Sequence, residues 1–488
     1  MLEPIGNLLD RSGRADSASG RIAAGRPAVN SFNPMSGALQ PVIGFHRAVK
    51  TLLPPLSVLL LALLAVPAPA ETLAFPSAEG FGAYAKGGRG GKVLFVTNLN
   101  KSGPGSLREA CEAEGARTII FQVGGTIDLK RNIYIRHPYV TIAGQTALGD
   151  GICLRGAGLI VQAHDVIIRG LRIRPGDDPE GPHPASRDAI WVGSDQETVE
   201  RVIIDHCSLS WAIDENASTW YPVLDITFQW NIISEGLMDS LHPKGPHSMG
   251  LLVGDHSHRV SLHHNLFAHN NFRNPSLKGD TVTEIVNNTI YNWGSHAMGF
   301  SQVTDAEPSS AILIGNLFIP GPNSRTSLGG FDVPSHASPK AQLFSEGNRS
   351  TVEMKIANPR VENREAIVDT PPFPGSGIRI QPAQEASLLV LSEAGATLPH
   401  RDSVDSRIVA EVQRGTGQII DSQSEVGGWP TYRSASPPAD SDQDGMPDEW
   451  EAKFALSPGS MDNNADEDGD GYTNLEEFLN ATNPTQPN

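Results

Sequence analysis

The chain has 488 residues, with 49 Gly, 37 Pro and 19% charged residues. It can hold one large domain and a small one, and it is too rich in turn formers for many long helices. Its net charge of −18 disfavours nucleic acid as a partner, so a polyanionic ligand would have to be met by a local basic patch.

His46, Arg47 and Lys50 precede the apolar run 56–66, and Ala-Pro-Ala follows at 68–70. This order predicts a secretory signal peptide cleaved after Ala70, with an N-terminal extension before it. The apolar core is too short for a comfortable membrane span, so no stable span is expected after cleavage and the mature chain is expected outside the cell. Cys111, Cys153 and Cys207 fit neither a disulfide scaffold nor a zinc site and are expected to be small buried residues.

From about 72 to 330 a strand, turn, strand pattern recurs. It appears in V-I-I-R-G-L-R-I (166–173), V-I-I-D-H-C-S-L (202–209), D-I-T-F-Q-W-N-I-I (225–233), V-S-L-H-H-N-L-F (260–267), E-I-V-N-N-T-I-Y (284–291) and A-I-L-I-G-N-L-F (311–318). Gly170, Cys207, Asn231, Asn265, Asn288 and Asn316 take the recurring turn position, at spacings of 37, 24, 34, 23 and 28 residues. Such periods point to a solenoid, and short strands without helical connections point to an all-β, right-handed parallel β-helix with Asn side chains stacked at one bend. Unequal spacings mean loops of unequal length, where a site should sit. The pattern fades between 320 and 439, which reads as late coils and a wrapping segment. The β-helix domain is therefore bounded at 71–430, with a linker at 431–439.

Residues 440–488 form a separate acidic module, with thirteen Asp and Glu against one Lys. D-S-D-Q-D-G-M-P-D-E-W-E (440–451) and D-E-D-G-D-G-Y-T-N-L-E-E (466–477) each place oxygen donors at positions 1, 3, 5, 9 and 12 and Gly at 6. That is the pattern of an EF-hand calcium loop. The candidate ligands are Asp440, Asp442, Asp444, Asp448 and Glu451 in the first loop, and Asp466, Asp468, Asp470, Asn474 and Glu477 in the second. The tandem loops resemble those of dockerin and thrombospondin type 3 repeats, which implies a module that needs Ca2+ to fold and has a protein or cell-surface partner.

Chemistry-bearing residues gather on turns within the repetitive region. Arg273 and Lys278 lie in N-N-F-R-N-P-S-L-K-G (270–279), Lys244 in H-P-K-G, and Asp177, Asp178, Asp214 and Glu215 follow two of the strands. Three cations and four carboxylates suit an acidic sugar polymer together with a calcium ion.

The chain resembles pectate lyases of polysaccharide lyase family 1. The resemblance rests on A-E-G-F-G-A-Y-A-K-G-G-R-G-G (78–91), G-P-G-S-L-R-E-A (103–110), I-I-D-H (203–206), H-P-K-G (242–245) and R-N-P-S-L-K-G (273–279). Against the family signature Arg-x-Pro-x-x-Arg-x-Gly, Arg273 and Pro275 match, Lys278 replaces the second Arg, and Gly279 follows it directly. The resemblance implies calcium-dependent β-elimination on pectate or a related uronan. Asp177, Asp178, Asp214 and Glu215 would hold the ion, and Lys244 and Lys278 would bind uronate carboxylates. Arg273 would be the base, or would neutralise the enolate while another group takes the proton. The family often places two carboxylates four residues apart where Asp214 and Glu215 are adjacent and position 218 is Ser. Asp205 and His206 read as structural, and His242 and His247 as loop residues. Two other functions stay open: a glycoside hydrolase on the same fold, which needs a pair of carboxylates across the scissile bond, and a non-catalytic carbohydrate-binding or adhesive β-helix.

Overall fold

The computed structural model describes residues 71–359 and 361–488; the expected signal segment lies outside them. Among the described residues no helix is long and apolar enough to cross a membrane.

The repeat folds as a right-handed parallel β-helix. Among the described residues, one ten-stranded and two nine-stranded parallel sheets run the length of the solenoid. Each coil contributes one strand to each sheet, as Val223–Gln229, Ile232–Ser234 and Met249–Val253 do. The next coil stacks in register, with Ile226 beside Val260 and Phe228 beside Leu262. Register therefore puts like on like. Ile168, Ile204, Phe228, Leu262, Ile285 and Leu313 form one continuous buried column. Such columns supply hydrophobic stabilisation at the coil-to-coil contacts.

From the strand Val166–Arg169 onward, the bend after the first strand of a coil is sharp because one residue adopts positive φ. His206, Trp230, His264 and Asn287 hold φ between 49° and 55° there, and Gly170, Gly315 and Gly347 hold 64° to 66°. The following Asn is buried and bridges two coils. Asn265 Oδ1 accepts from both N–H and Nδ2 of Asn231 at 2.9 Å. Asn288 accepts in the same way from Asn265, and Asn316 from Asn288. The expected ladder is present and extends one coil further, to Asn348. Gly170 needs a correction: the Arg169–Asp205 register aligns it with His206, one residue before the ladder position. It fills the positive-φ position, where an added Cβ would lie 2.6 Å from the Gln145 amide nitrogen.

The later chain holds two features beyond the strand pattern. Residues Ala383–Glu393 and Ser403–Arg414 are helices, which lay Val390, Val404, Ile408 and Val412 over Trp211, Ile232 and Leu266. Asp402 caps the second helix by accepting from the Asp405 amide, and Gly415 ends it at φ 68°. Val404, Ile408 and Val412 keep a helical spacing that the surrounding Pro and Gly obscure. The 431–439 segment also docks on the body. Tyr432 Oη donates to Asp402 at 2.6 Å, and Arg433 pairs with Asp150 at 3.0 Å. Beneath it Arg174 pairs with Asp402 and Asp405 at 2.5 and 2.7 Å, all three buried. The three cysteines are buried and free, as expected.

Asn288→Ala strips the Asn265 amide and side chain of their shared acceptor. Loss of about 2–3 kcal/mol is expected from leaving these buried donors unpaired, measured as a lowered denaturant midpoint at unchanged slope.

Candidate active site

The site lies on the outer face of the nine-stranded sheet that contains Ile190–Val192, Glu215–Thr219 and Met249–Val253. A cleft of about 640 Å³ opens there, floored by Tyr134, Trp191, Trp220 and Tyr221. Half-exposed aromatic rings beside cations suit the apolar faces and carboxylates of an acidic sugar.

Arg273 projects from the loop that follows Leu266–Ala268, at φ 59°. Two features hold that backbone. Its carbonyl accepts from the Leu251 amide, and Gly250 packs against the same carbonyl with no room for a Cβ, which would lie 2.4 Å from the oxygen. Below, a buried amide chain runs from Asn216 to Asn270 to Asn274, with bonds of 3.1 and 3.0 Å. The guanidinium pairs with Glu215. Burial lowers its pKa, while Asp214 and Asp188 raise it.

Three carboxylates converge beside Arg273: Asp188, Asp214 and Glu215, with one oxygen of each within 4.8 Å of the others. Asp188 accepts from Ser218 Oγ at 2.6 Å and from the Glu215 amide at 3.3 Å. Burial, then the charge of Asp214, pushes its pKa well above the usual carboxylate range. Asp214 faces His247 Nε2 at 3.0 Å and His242 Nε2 at 3.5 Å, and the two imidazoles stack at 3.7 Å. His242 Nδ1 accepts from the Lys244 amide, so its proton sits on Nε2, toward Asp214. Burial, and then His247, lower the pKa of His242. Three carboxylates meeting in this way form an oxygen cluster that could hold a hard divalent cation.

Lys244 is exposed at the cleft rim, and Lys278 lines the cleft with its ammonium 3.1 Å from Asp255 and 4.3 Å above the Trp220 ring. Arg273, Lys244, Lys278, Asp214 and Glu215 are thus brought together. Asp177 and Asp178 are not: Asp177 accepts from Gln423 at 2.5 Å and Asp178 pairs with Arg155 at 2.7 Å, and neither lines the cleft. Their loop is fastened by Arg187, which donates to the backbone carbonyls of Asp178 and Pro182. Asp188 was missed. The available signal was a lone Asp before the strand-like A-I-W-V, on a coil adjacent to Glu215. Asp205 is structural, as read, paired with Arg169 at 2.7 Å and His206 at 2.8 Å inside the ladder.

In the tail, Asp440, Asp442 and Asp444 form one acidic group, and Asp444 forms another with Glu451 and Asp462. Asp462 was not anticipated. Asp448 is engaged differently, since its two oxygens accept from the amide and hydroxyl of Ser441 and close the loop.

This is an enzyme of the parallel β-helix class, built around a cluster of carboxylates and cations on an outer sheet face. No family model matches the chain. It is 38% identical over 420 residues to "Probable pectate lyase C" of Aspergillus fumigatus, covering 85% of this chain and 94% of that one. The protein of the same name in Aspergillus flavus is 36% identical over 420 residues, with the same coverage. A solved structure, that of jun a 1, the major allergen from cedar pollen, superposes with a TM-score of 0.51 at 21% identity. It covers 65% of this chain and 92% of its own. The chain belongs to the pectate lyases of polysaccharide lyase family 1, and it is a polysaccharide lyase.

Asp188→Asn is expected to raise the calcium concentration needed for half-maximal activity by about tenfold or more, by removing a charged oxygen donor. Asp177→Asn should leave that requirement unchanged. Calcium titration of the initial rate checks both, and the opposite ranking would put the ion on the 177–178 loop.

Proposed function

We propose that the enzyme is secreted and cleaves pectate or a closely related uronan by calcium-dependent β-elimination. The observation that carries this reading is the convergence of Asp188, Asp214 and Glu215 beside the half-buried Arg273. Secretion is supported by the signal-like pattern at 46–70.

The chemistry sets three needs. The proton on carbon 5 lies next to a carboxylate and is hard to remove, because the carbanion adds negative charge. Calcium held by Asp188, Asp214 and Glu215 would supply positive charge for that carboxylate and the enolate. Lys244 at the rim and Lys278 along the cleft are placed to meet uronate carboxylates, each as a point charge. In this reading Arg273 takes the proton, or neutralises the enolate while another group takes it. Burial already lowers its pKa, and Glu215 and Asp214 are the anions that hold it protonated. Neutralising those two carboxylates removes that restraint. The hydrolase reading loses ground, because the relatives at 36–38% identity carry the name of a lyase.

Purified protein given polygalacturonate should produce ultraviolet absorbance of unsaturated uronate. A chelator should abolish the signal and added calcium restore it. Reducing ends without that absorbance would mean hydrolysis, and no product at all would favour a binding role. Arg273→Lys should lower kcat by at least about a hundredfold, with the β-helix signal in circular dichroism unchanged.

A further inference from the structure

The two acidic loops of the tail play no part in the cleft chemistry, yet they are the most highly charged part of the chain. Acidic residues on a turn are common without a ligand, so what matters here is where these side chains point. Glu451 is fully buried, and neither of its carboxylate oxygens has a partner. Asp444 Oδ2, Asn474 Oδ1 and Glu477 Oε2 are also buried and unpaired, on residues at most 2% exposed. A buried, unpartnered carboxylate is costly unless a cation meets it. The orphaned atoms recur at matching places in the two loops, at position 12 in Glu451 and Glu477 and at position 3 in Asp442 and Asp468.

The same loops carry the residues that dock the tail on the β-helix. Met446 directly follows Gly445 in the first loop, and Leu475 directly follows Asn474 in the second. Both are buried against Ile120 and Ala143, on the outer face of the ten-stranded sheet at its first coils. Gly445, at φ 97°, lies so close that a Cβ would sit 3.1 Å from Val93 Cγ1. Trp450 and Phe478 meet edge to face at 5.5 Å over this patch. Glu476, beside Glu477, takes the Arg89 guanidinium through both oxygens at 2.9 Å, and Asn480 accepts from Arg169 at 2.7 Å. Candidate ligands and docking residues thus alternate along one short stretch of backbone. Fixing the former fixes the latter, and mutual repulsion among bare carboxylates would spread both.

We infer that residues 440–477 form two calcium sites whose occupancy clasps the tail onto the first coils of the β-helix. The first site comprises Asp440, Asp442, Asp444, Glu451 and Asp462. The second comprises Asp466, Asp468, Asp470, Asn474 and Glu477. Every donor is oxygen, which selects a hard cation, and the flexible multi-carboxylate loops suit calcium over the smaller magnesium. Calcium would therefore act twice in this chain, once in the cleft and once as a fastener that covers an apolar patch on the outer face of the ten-stranded sheet.

The test uses the full-length chain and no measurement of cleavage of pectate. Calcium binding to wild type and to the Glu451→Gln, Glu477→Gln double variant is titrated by calorimetry, and the variant is expected to bind two fewer equivalents. Limited proteolysis with mass spectrometry follows the tail. In chelator, new cuts should appear at 434–470, at least about tenfold faster than in calcium, while 92–359 stays protected. Terbium emission sensitised by Trp450 and Tyr472 provides a readout on wild type alone, should the double variant fold poorly. Equal calcium stoichiometry in both proteins would overturn the inference. So would a tail equally protected in chelator, or protection by magnesium but not calcium. Because these readouts are independent of the cleft, their failure would leave the lyase reading standing, and failure of the lyase assay would leave the clasp standing.

Discussion

Everything in this molecule depends on parallel, in-register stacking of coils. A residue one coil away occupies the same place in the section, so whatever fits at one level must fit above and below. The aliphatic column from Ile168 to Leu313 meets that condition with apolar contact, and the Asn231–Asn348 ladder meets it with hydrogen bonds. The ladder is a solution to a local problem. The coils from Gly170 to Gly347 turn sharply through a positive-φ residue, which takes the next amide out of the sheet pattern. An Asn one coil on supplies the missing acceptor, and its own amide group is satisfied by the coil beyond.

The same stacking makes the cluster of carboxylates in the cleft. Asp188 and Glu215 are 27 residues apart in sequence but occupy neighbouring coils, close enough that the Glu215 amide donates to Asp188. The fold holds them together by fixing the backbone first. Gly250 and the Asn216–Asn270–Asn274 chain set Arg273 before any ligand arrives. Positioning of this kind is the form in which a rigid scaffold contributes to electrostatic catalysis.

How much of this could be read beforehand follows from the same geometry. The repeat was readable because Asn recurs at the bend and strands alternate with turns. The Arg273 loop was readable because its motif is contiguous. Gly170 was misaligned by one position because coils lacking the Asn give no marker for register. Asp188 was missed, and Asp177 and Asp178 were favoured, for a related reason: proximity between coils depends on loop lengths that a single sequence leaves open. Arg155 and Gln423, which occupy Asp178 and Asp177, lie 23 and 246 residues away from them. The helices at 383–414 were hidden by Pro- and Gly-rich surroundings. The tail loops were visible as motifs, but their docking was not, because Ile120 and Ala143 read as ordinary strand residues.

The central claim is that Arg273 and the three carboxylates form one reaction centre on the outer sheet face. A crystal structure of Arg273→Lys with calcium and an oligogalacturonate tests it most directly. The account predicts an ion bound by Asp188, Asp214 and Glu215 and shared with a uronate carboxylate, with carbon 5 of that sugar facing residue 273. An ion held instead by Asp177 and Asp178, or a sugar chain seated away from residue 273, would contradict it.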